Sequence, residues 1–399
     1  LNHPAATKPP ARQPGWFLAL FALASAGGAV AYVPLLTVLL PQRIADLQGG
    51  EDVAALAQVI FLGAVMASLA NIAIGTLSDR SGTRRPWIIA GLVASNALLL
   101  AVGEAGSVTE IVALVMVWQV ALNLMLAPMM AWAGDCFPDE QKGVLGGALA
   151  LSPALGALAG SLVTYAGLVA PDARLGLVAV LVSLLVLPAV VLGANRTRPE
   201  LMAPATPPPA ARPLREGVVP RMWAARLLVQ VAEGGMFAFL LYWLRSLAPD
   251  FPENGAANIF SAVLVCAVPL SLILGRWSDR HGRPVLPLVG AAGLCASGML
   301  VMAAAQTIGW AIAGYVLFAI AASIFLALHA SQTLRVLPAP QHRGRDLGVF
   351  NLTNTVPGMV MPWLTVLLVP RFGFEALFVL FAALSLSSAV LLAGVMRRP

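Results

Sequence analysis

The chain has 399 residues, of which 59% are hydrophobic and only 11% charged, against roughly 25% charge in an ordinary soluble domain. That balance excludes a soluble fold, because so much apolar surface does not fit inside one core. The net charge of +6 raises a nucleic-acid partner as a possibility, which its distribution along the chain then excludes.

Apolar stretches of about 20 residues, each long enough to cross a ~30 Å hydrocarbon layer, recur along the whole length. In chain order they predict spans at 16–40, 54–77, 87–103, 109–134, 144–170, 174–194, 221–247, 257–277, 285–305, 308–334, 346–370 and 374–396. Residues 1–15 read as a tail. The first run, Trp16 to Leu40, is too long for a signal-peptide core and reads as a retained span. Between the sixth and seventh spans, residues 195–220 hold Pro199, Pro204, Pro207, Pro208, Pro209 and Pro213 among arginines, the composition of a solvated linker. The expected fold is an all-α integral membrane protein of twelve transmembrane helices in two six-helix bundles, 16–194 and 221–396. The 36 glycines suit helices that pack closely in lipid. Cys136, Cys266 and Cys295 lie in or beside apolar segments, and their odd number argues against a disulfide framework.

Orientation follows from the basic residues. With both termini in the cytoplasm, all of the 24 Lys and Arg except Arg43, Arg174, Arg245 and Arg371 fall on the cytoplasmic side, the positive-inside pattern. This accounts for the basic balance without nucleic acid; the basic loops are short and have no interleaved aromatics. The expectation is a multi-pass protein of a bacterial-type inner (plasma) membrane, monomeric, with both termini cytoplasmic.

The loop after span 2 reads Gly75-Thr-Leu-Ser-Asp79-Arg80-Ser-Gly82-Thr-Arg84-Arg85-Pro86, and the loop after span 8 reads Gly275-Arg-Trp-Ser-Asp279-Arg280-His-Gly282-Arg283-Pro284. Glycine, Ser-Asp-Arg, glycine and a basic residue recur at an offset of 200. A second pair follows spans 4 and 10: Pro138-Asp-Glu-Gln-Lys142-Gly143 and Pro340-Gln-His-Arg343-Gly344. Two matched pairs in register point to duplication of a six-helix unit. Asp79 and Asp279 are suited to cap a neighbouring helix N-terminus, where the macrodipole favours an anion. The arginines are suited to carboxylates or anionic lipid heads, and the glycines to tight turns and close approach. A solvated turn that merely serves orientation explains one copy more easily than two.

The doubled loop resembles the signature loop of the major facilitator superfamily, and the resemblance spans essentially the whole chain. It implies alternating access: two bundles rock about a central site, and these loops latch the cytoplasmic side in one state. The implied latch residues are Gly75, Asp79, Arg80, Gly82, Arg84, Arg85, Asp135, Gly275, Asp279, Arg280, Gly282 and Arg283. A narrower resemblance is to the sucrose and glycoside–cation symporter branch. It rests on Arg84-Arg85-Pro86-Trp87 after Ser78-Asp79-Arg80, on Ala127-Pro128…Gly134-Asp135…Pro138, and on Leu347-Gly348-Val349-Phe350-Asn351-Leu352 before Pro357. Where the proton-coupled carriers of that branch place an Asp and an Arg, this chain has Gln119 and Met130.

An ionisable side chain at mid-membrane costs about 2.5–3.5 kcal/mol on insertion scales and is a functional candidate by default. Glu233 is the one charge near a span centre, with Arg226 and Gln230 at i−7 and i−3 on roughly the same helical face. The trio reads as a protonation site coupled to substrate or, alternatively, as a buried carboxylate held for packing. Gln119 and Asn123 in span 4, and Asn351, Asn354 and Thr355 in span 11, are candidates to line a cavity, with Tyr32 in span 1. Amides both donate and accept and suit hydroxyl-rich ligands, although any one of them also serves as an interhelical hydrogen bond. His329 and Gln332 read as structural. No phosphate loop, metal-ligand cluster or nucleophile–base arrangement is evident, so no enzyme activity, metal or cofactor is expected. The leading expectation is secondary active transport of a small polar solute, such as a sugar or glycoside, coupled to protons or another cation. Export of amphipathic drugs or lipids, and a non-transporting assembly factor on the same fold, stay open as alternatives.

Overall fold

The computed structural model describes residues 12–48, 53–165, 168–202, 217–251, 253–337 and 340–396. Most of the expected tail, and residues 203–216 of the expected linker with Arg212 and Arg215, lie outside them. Among the described residues every regular element is a helix. They form α1 (Gly15–Pro34), α2 (Leu40–Gln48), α3 (Val53–Ser81), α4 (Arg85–Glu104), α5 (Val108–Cys136), α6 (Asp139–Leu149), α7 (Leu151–Val163), α8 (Arg174–Leu192), α9 (Pro199–Met202), α10 (Val218–Leu247), α11 (Glu253–His281), α12 (Leu286–Ala303), α13 (Ile308–Val336) and α14 (Arg343–Met396).

Three joins turn these helices into membrane-length rods. A π-helical stretch, Leu35–Leu39, fuses α1 to α2. Pro34 has no amide hydrogen to give to the preceding turn, and the Thr37 hydroxyl donates to the Val33 carbonyl at 2.7 Å. A break at Ala150 separates α6 from α7, and α14 turns at Gly373, whose φ of 74° only glycine adopts freely. The span expected at 144–170 is corrected accordingly: its helix starts earlier, at Asp139, and ends at Val163. Other rods run past their expected ends, α3 to Ser81 and α13 to Val336, because polar loop residues continue the helices into the aqueous layer. Among the described residues, ten rods are long and apolar enough to cross a membrane. Two more, α10 and the first arm of α14, carry Arg226 and Glu233, and Asn351 and Asn354, respectively. The result is the twelve-rod, all-α architecture expected from the sequence, and the protein is a multi-pass membrane protein.

Buried apolar side chains gather in two main clusters. One runs from Phe17 to Val190 with only Leu334 from later in the chain; the other runs from Met222 to Leu392. Between them, α3 packs on α14 and α6 packs on α11 and α13. Local signals set the helix starts. Ser107 accepts from the Glu110 amide at 3.2 Å while the Glu110 carboxylate accepts from the Gly106 amide at 2.9 Å, a capping box that opens α5. Gly82 and Gly282 take φ of 64° and 61° in equivalent turns, a left-handed conformation costly for any other residue.

Candidate functional site

The repeated loops meet at one end of the molecule, and their aspartates cross over. Asp79, at the end of α3, accepts from the backbone amides of Gly344 and Arg345, both at 2.9 Å, at the start of α14. Asp279, at the end of α11, accepts from the amides of Gly143 at 3.0 Å and Val144 at 2.9 Å in the first turns of α6. Each carboxylate accepts from N–H groups near a helix N-terminus of the other half, where the macrodipole favours it; those of Gly344 and Arg345 are orphan donors of the first turn of α14. The helices come close enough for this because both sides of each crossing are glycine. A Cβ on Gly75 would overlap the Gly344 carbonyl, and one on Gly275 would overlap the Gly143 carbonyl. One turn further along, Gly348 abuts the Ile72 backbone and Gly147 the Leu272 backbone. Each crossing is thus a Gly-x-x-x-Gly face, the small-residue spacing that lets membrane helices touch backbone to backbone.

The side-chain wiring around the two caps differs. Arg84 donates to Asp79 at 2.7 Å and to Asp135 at 3.0 Å. Asp135, 1% exposed, also accepts from Arg343 of the other half. In the second half the position equivalent to Asp135 holds Arg335, which pairs with Asp279 at 2.7 Å and donates to the Asp139 carbonyl. Lys142 is buried against the Asp139 carboxylate at 2.6 Å and the Leu334 carbonyl at 3.2 Å. Of the expected latch residues, Gly75, Asp79, Arg84, Asp135, Gly275 and Asp279 converge here. Gly82 and Gly282 shape the turns. Arg85 instead ties α4 to the Val190 carbonyl at 2.8 Å within its own half. The side chains of Arg80, Arg280 and Arg283 are exposed and take no part in the crossing. Arg343, Arg335, Lys142, Gly143 and Gly344 do take part. The second loop repeat, Lys142-Gly143 and Arg343-Gly344, was the signal for most of them.

A second polar cluster sits midway along the rods. Arg226 donates to Thr353 at 3.0 Å, to the Leu326 carbonyl at 3.2 Å and to Asn354 at 3.2 Å, so it joins α10, α13 and α14. Asn354 in turn donates to Asn351 at 2.7 Å. Gln230 Nε2 donates to Glu233 at 3.3 Å, while Gln230 Oε1 is buried without a partner. Arg226 is bonded to neutral groups and Glu233 to an amide; among the described residues the two form no ion pair. Tyr32, on α1 of the other half, is 39% exposed. Thr355 meets Ser68 of α3 at 2.7 Å across the boundary between the halves. Gln119 and Asn123 do not join the cluster. Asn123 is 3% exposed, accepts from Asn71 at 2.7 Å and donates to the Gln119 carbonyl at 2.8 Å, which spends it on helix packing.

The second half matches the family model of the Major Facilitator Superfamily over residues 222–399. No curated protein sequence matches the chain. Solved structures with the same fold include the human organic anion transporter MFSD10 (TETRAN), at 16% identity and a TM-score of 0.72 over 95% of this chain and 100% of that one. A bacterial homologue of the iron transporter ferroportin in an outward-facing state aligns at 15% identity and a TM-score of 0.75, over 96% of this chain and 99% of that one. The Major Facilitator Superfamily transporter FucP in the outward conformation aligns at 14% identity and a TM-score of 0.69, over 94% and 98%. At these identities the likeness shows the fold, which is one of transporters.

Proposed function

We propose that this protein is a secondary active transporter of the major facilitator superfamily. In this reading its two bundles, 16–194 and 221–396, rock about a central site and move a small polar solute by alternating access. The observation that carries the reading is the crossed pair of helix caps. Contacts that join the halves at one end through carboxylates on backbone amides and paired glycines suit a gate that closes and reopens. The basic loops assign that end to the cytoplasm, so the closed gate corresponds to an outward-facing state, as in two of the solved structures of the same fold.

Glu233 is the proton-coupling residue in this reading. Gln230 is equipped for both of its charge states, because Nε2 donates to the carboxylate and the unfilled Oε1 is free to accept from the protonated acid. A charge change at Glu233 would also alter its long-range balance with Arg226, and so the hold of Arg226 on Asn354 and Asn351. Asn351 keeps its Nδ2 hydrogens free among the described residues, and Tyr32 is the candidate to join it from the other half. Such groups suit the hydroxyls of a sugar or glycoside. The test is Glu233→Gln in proteoliposomes, with solutes drawn from a thermal-shift panel of sugars and glycosides. Uptake-linked proton flux is expected to vanish and the pH dependence of uptake to flatten, while solute exchange persists. An unchanged pH dependence overturns the assignment.

A further inference from the structure

The turn between α11 and α12 carries three arginines, as many as its counterpart between α3 and α4, but whereas Arg84 and Arg85 fold into the protein, none of these three does. Arg276, Arg280 and Arg283 stand where the first half has Thr76, Arg80 and Thr83. All three arginines are exposed. The ion pairs of the closed gate run through Arg84, Arg335 and Arg343 and use none of them. The nearest carboxylate in sequence, Asp279, is already spent on Arg335 and on the Gly143 and Val144 amides. The cations are therefore surplus to the gate.

Beside them lies a groove of about 300 Å³, lined by Ile273, Leu274 and Trp277 of α11 and by Leu286 and Pro287 of α12. Every lining residue is apolar, and Ile273 is 60% exposed, so the groove opens on the outer face of the rods, where hydrocarbon lies. Arg280 follows Trp277 by three residues and Arg276 by four, which puts it one turn toward the loop above the groove. His281 stacks on the Trp277 ring with centroids 4.8 Å apart. An apolar slot thus lies beside a turn with three exposed arginines that form no ion pair among the described residues. Its complement is an amphiphile with an acyl chain and an anionic head. A free anion leaves the slot empty, and a zwitterionic head leaves the cations without net compensation.

We propose that this groove binds an anionic phospholipid, with an acyl chain along Ile273, Leu274 and Trp277 and the phosphate on Arg276, Arg280 and Arg283. Basic clusters at helix ends recognise anionic head groups in this way. The site is separate from the solute pathway and depends only on the protein lying in a bilayer.

The test is native mass spectrometry of the full chain in detergent with equimolar phosphatidylglycerol and phosphatidylcholine. The wild-type protein is expected to retain phosphatidylglycerol in preference. The variant Arg276→Gln/Arg280→Gln/Arg283→Gln is expected to lose that preference by on the order of tenfold or more, each arginine near an anionic surface contributing about fivefold. Ile273→Trp, which fills the groove with all three cations intact, is expected to lose bound phosphatidylglycerol as well, whereas Arg80→Gln retains it. Equal retention of the two lipids by the wild type, or full phosphatidylglycerol retention by either the triple variant or Ile273→Trp, overturns the proposal.

Discussion

The two sides of the proposed gate share a backbone plan and differ in charge. On each side an aspartate caps a helix of the other half, and a Gly-x-x-x-Gly face lets the helices touch. On the first side, Asp135 lies buried between Arg84 of its own half and Arg343 of the other, so a charged triad spans the boundary. On the second side Arg335 occupies the matching place, and its ion pair with Asp279 stays within one half. What holds in both copies is the geometry that lets the halves meet. The ion pairs are free to vary once the caps and glycines are in place.

This contrast gives a ranked set of outcomes. The readout is thiol labelling of Ser331→Cys in a Cys266→Ser background. Ser331 is fully buried against Gly146 across the gate, Cys266 is exposed, and Cys136 and Cys295 are buried. Asp135→Asn is expected to open the gate most, by about 3–5 kcal/mol, because it leaves buried Arg343 without its carboxylate. Arg335→Gln is expected to cost far less, since Asp279 keeps its backbone amides. Equal labelling of these two variants would break the contrast. Gly75→Ala and Gly275→Ala come next, at about 1–3 kcal/mol each from backbone overlap. They should match one another, because the crossings are alike on the two sides. Asp79→Asn and Asp279→Asn are smallest, at about 1 kcal/mol each for a weakened cap, and one affected without the other would show that the caps are unequal.

Much of this gate was legible in the sequence. The offsets of 200 and 201 marked both loop pairs, and Asp79 and Asp279 stood out as acids at helix ends. Their partners were not legible as such, because the capped amides lie 265 and 266 residues from Asp79 and no local pattern couples positions so far apart. Nor did the sequence separate Arg84 from Arg80. The two are four residues apart, but Arg80 rides the exposed face of α3 while Arg84 follows the left-handed turn at Gly82 and folds back over Ser78, donating to its hydroxyl at 2.6 Å. In the central cluster the amides looked equivalent on composition. Only packing distinguishes Asn123, spent on Asn71, from Asn354, which is exposed.

The crossed caps have a consequence for how such a chain is free to change. An interface in which one copy's aspartate meets the other's glycine turn, and the reverse, has the form of an isologous dimer with a twofold axis. In a dimer of separate six-helix chains, every substitution falls on both sides of the axis together, and an arginine replacing Asp135 would strip both contacts of their carboxylate at once. A duplicated chain takes the same change on one side only. The exchange of aspartate for arginine between positions 135 and 335 is therefore a form of asymmetry open to the fused chain and closed to a dimer of identical halves.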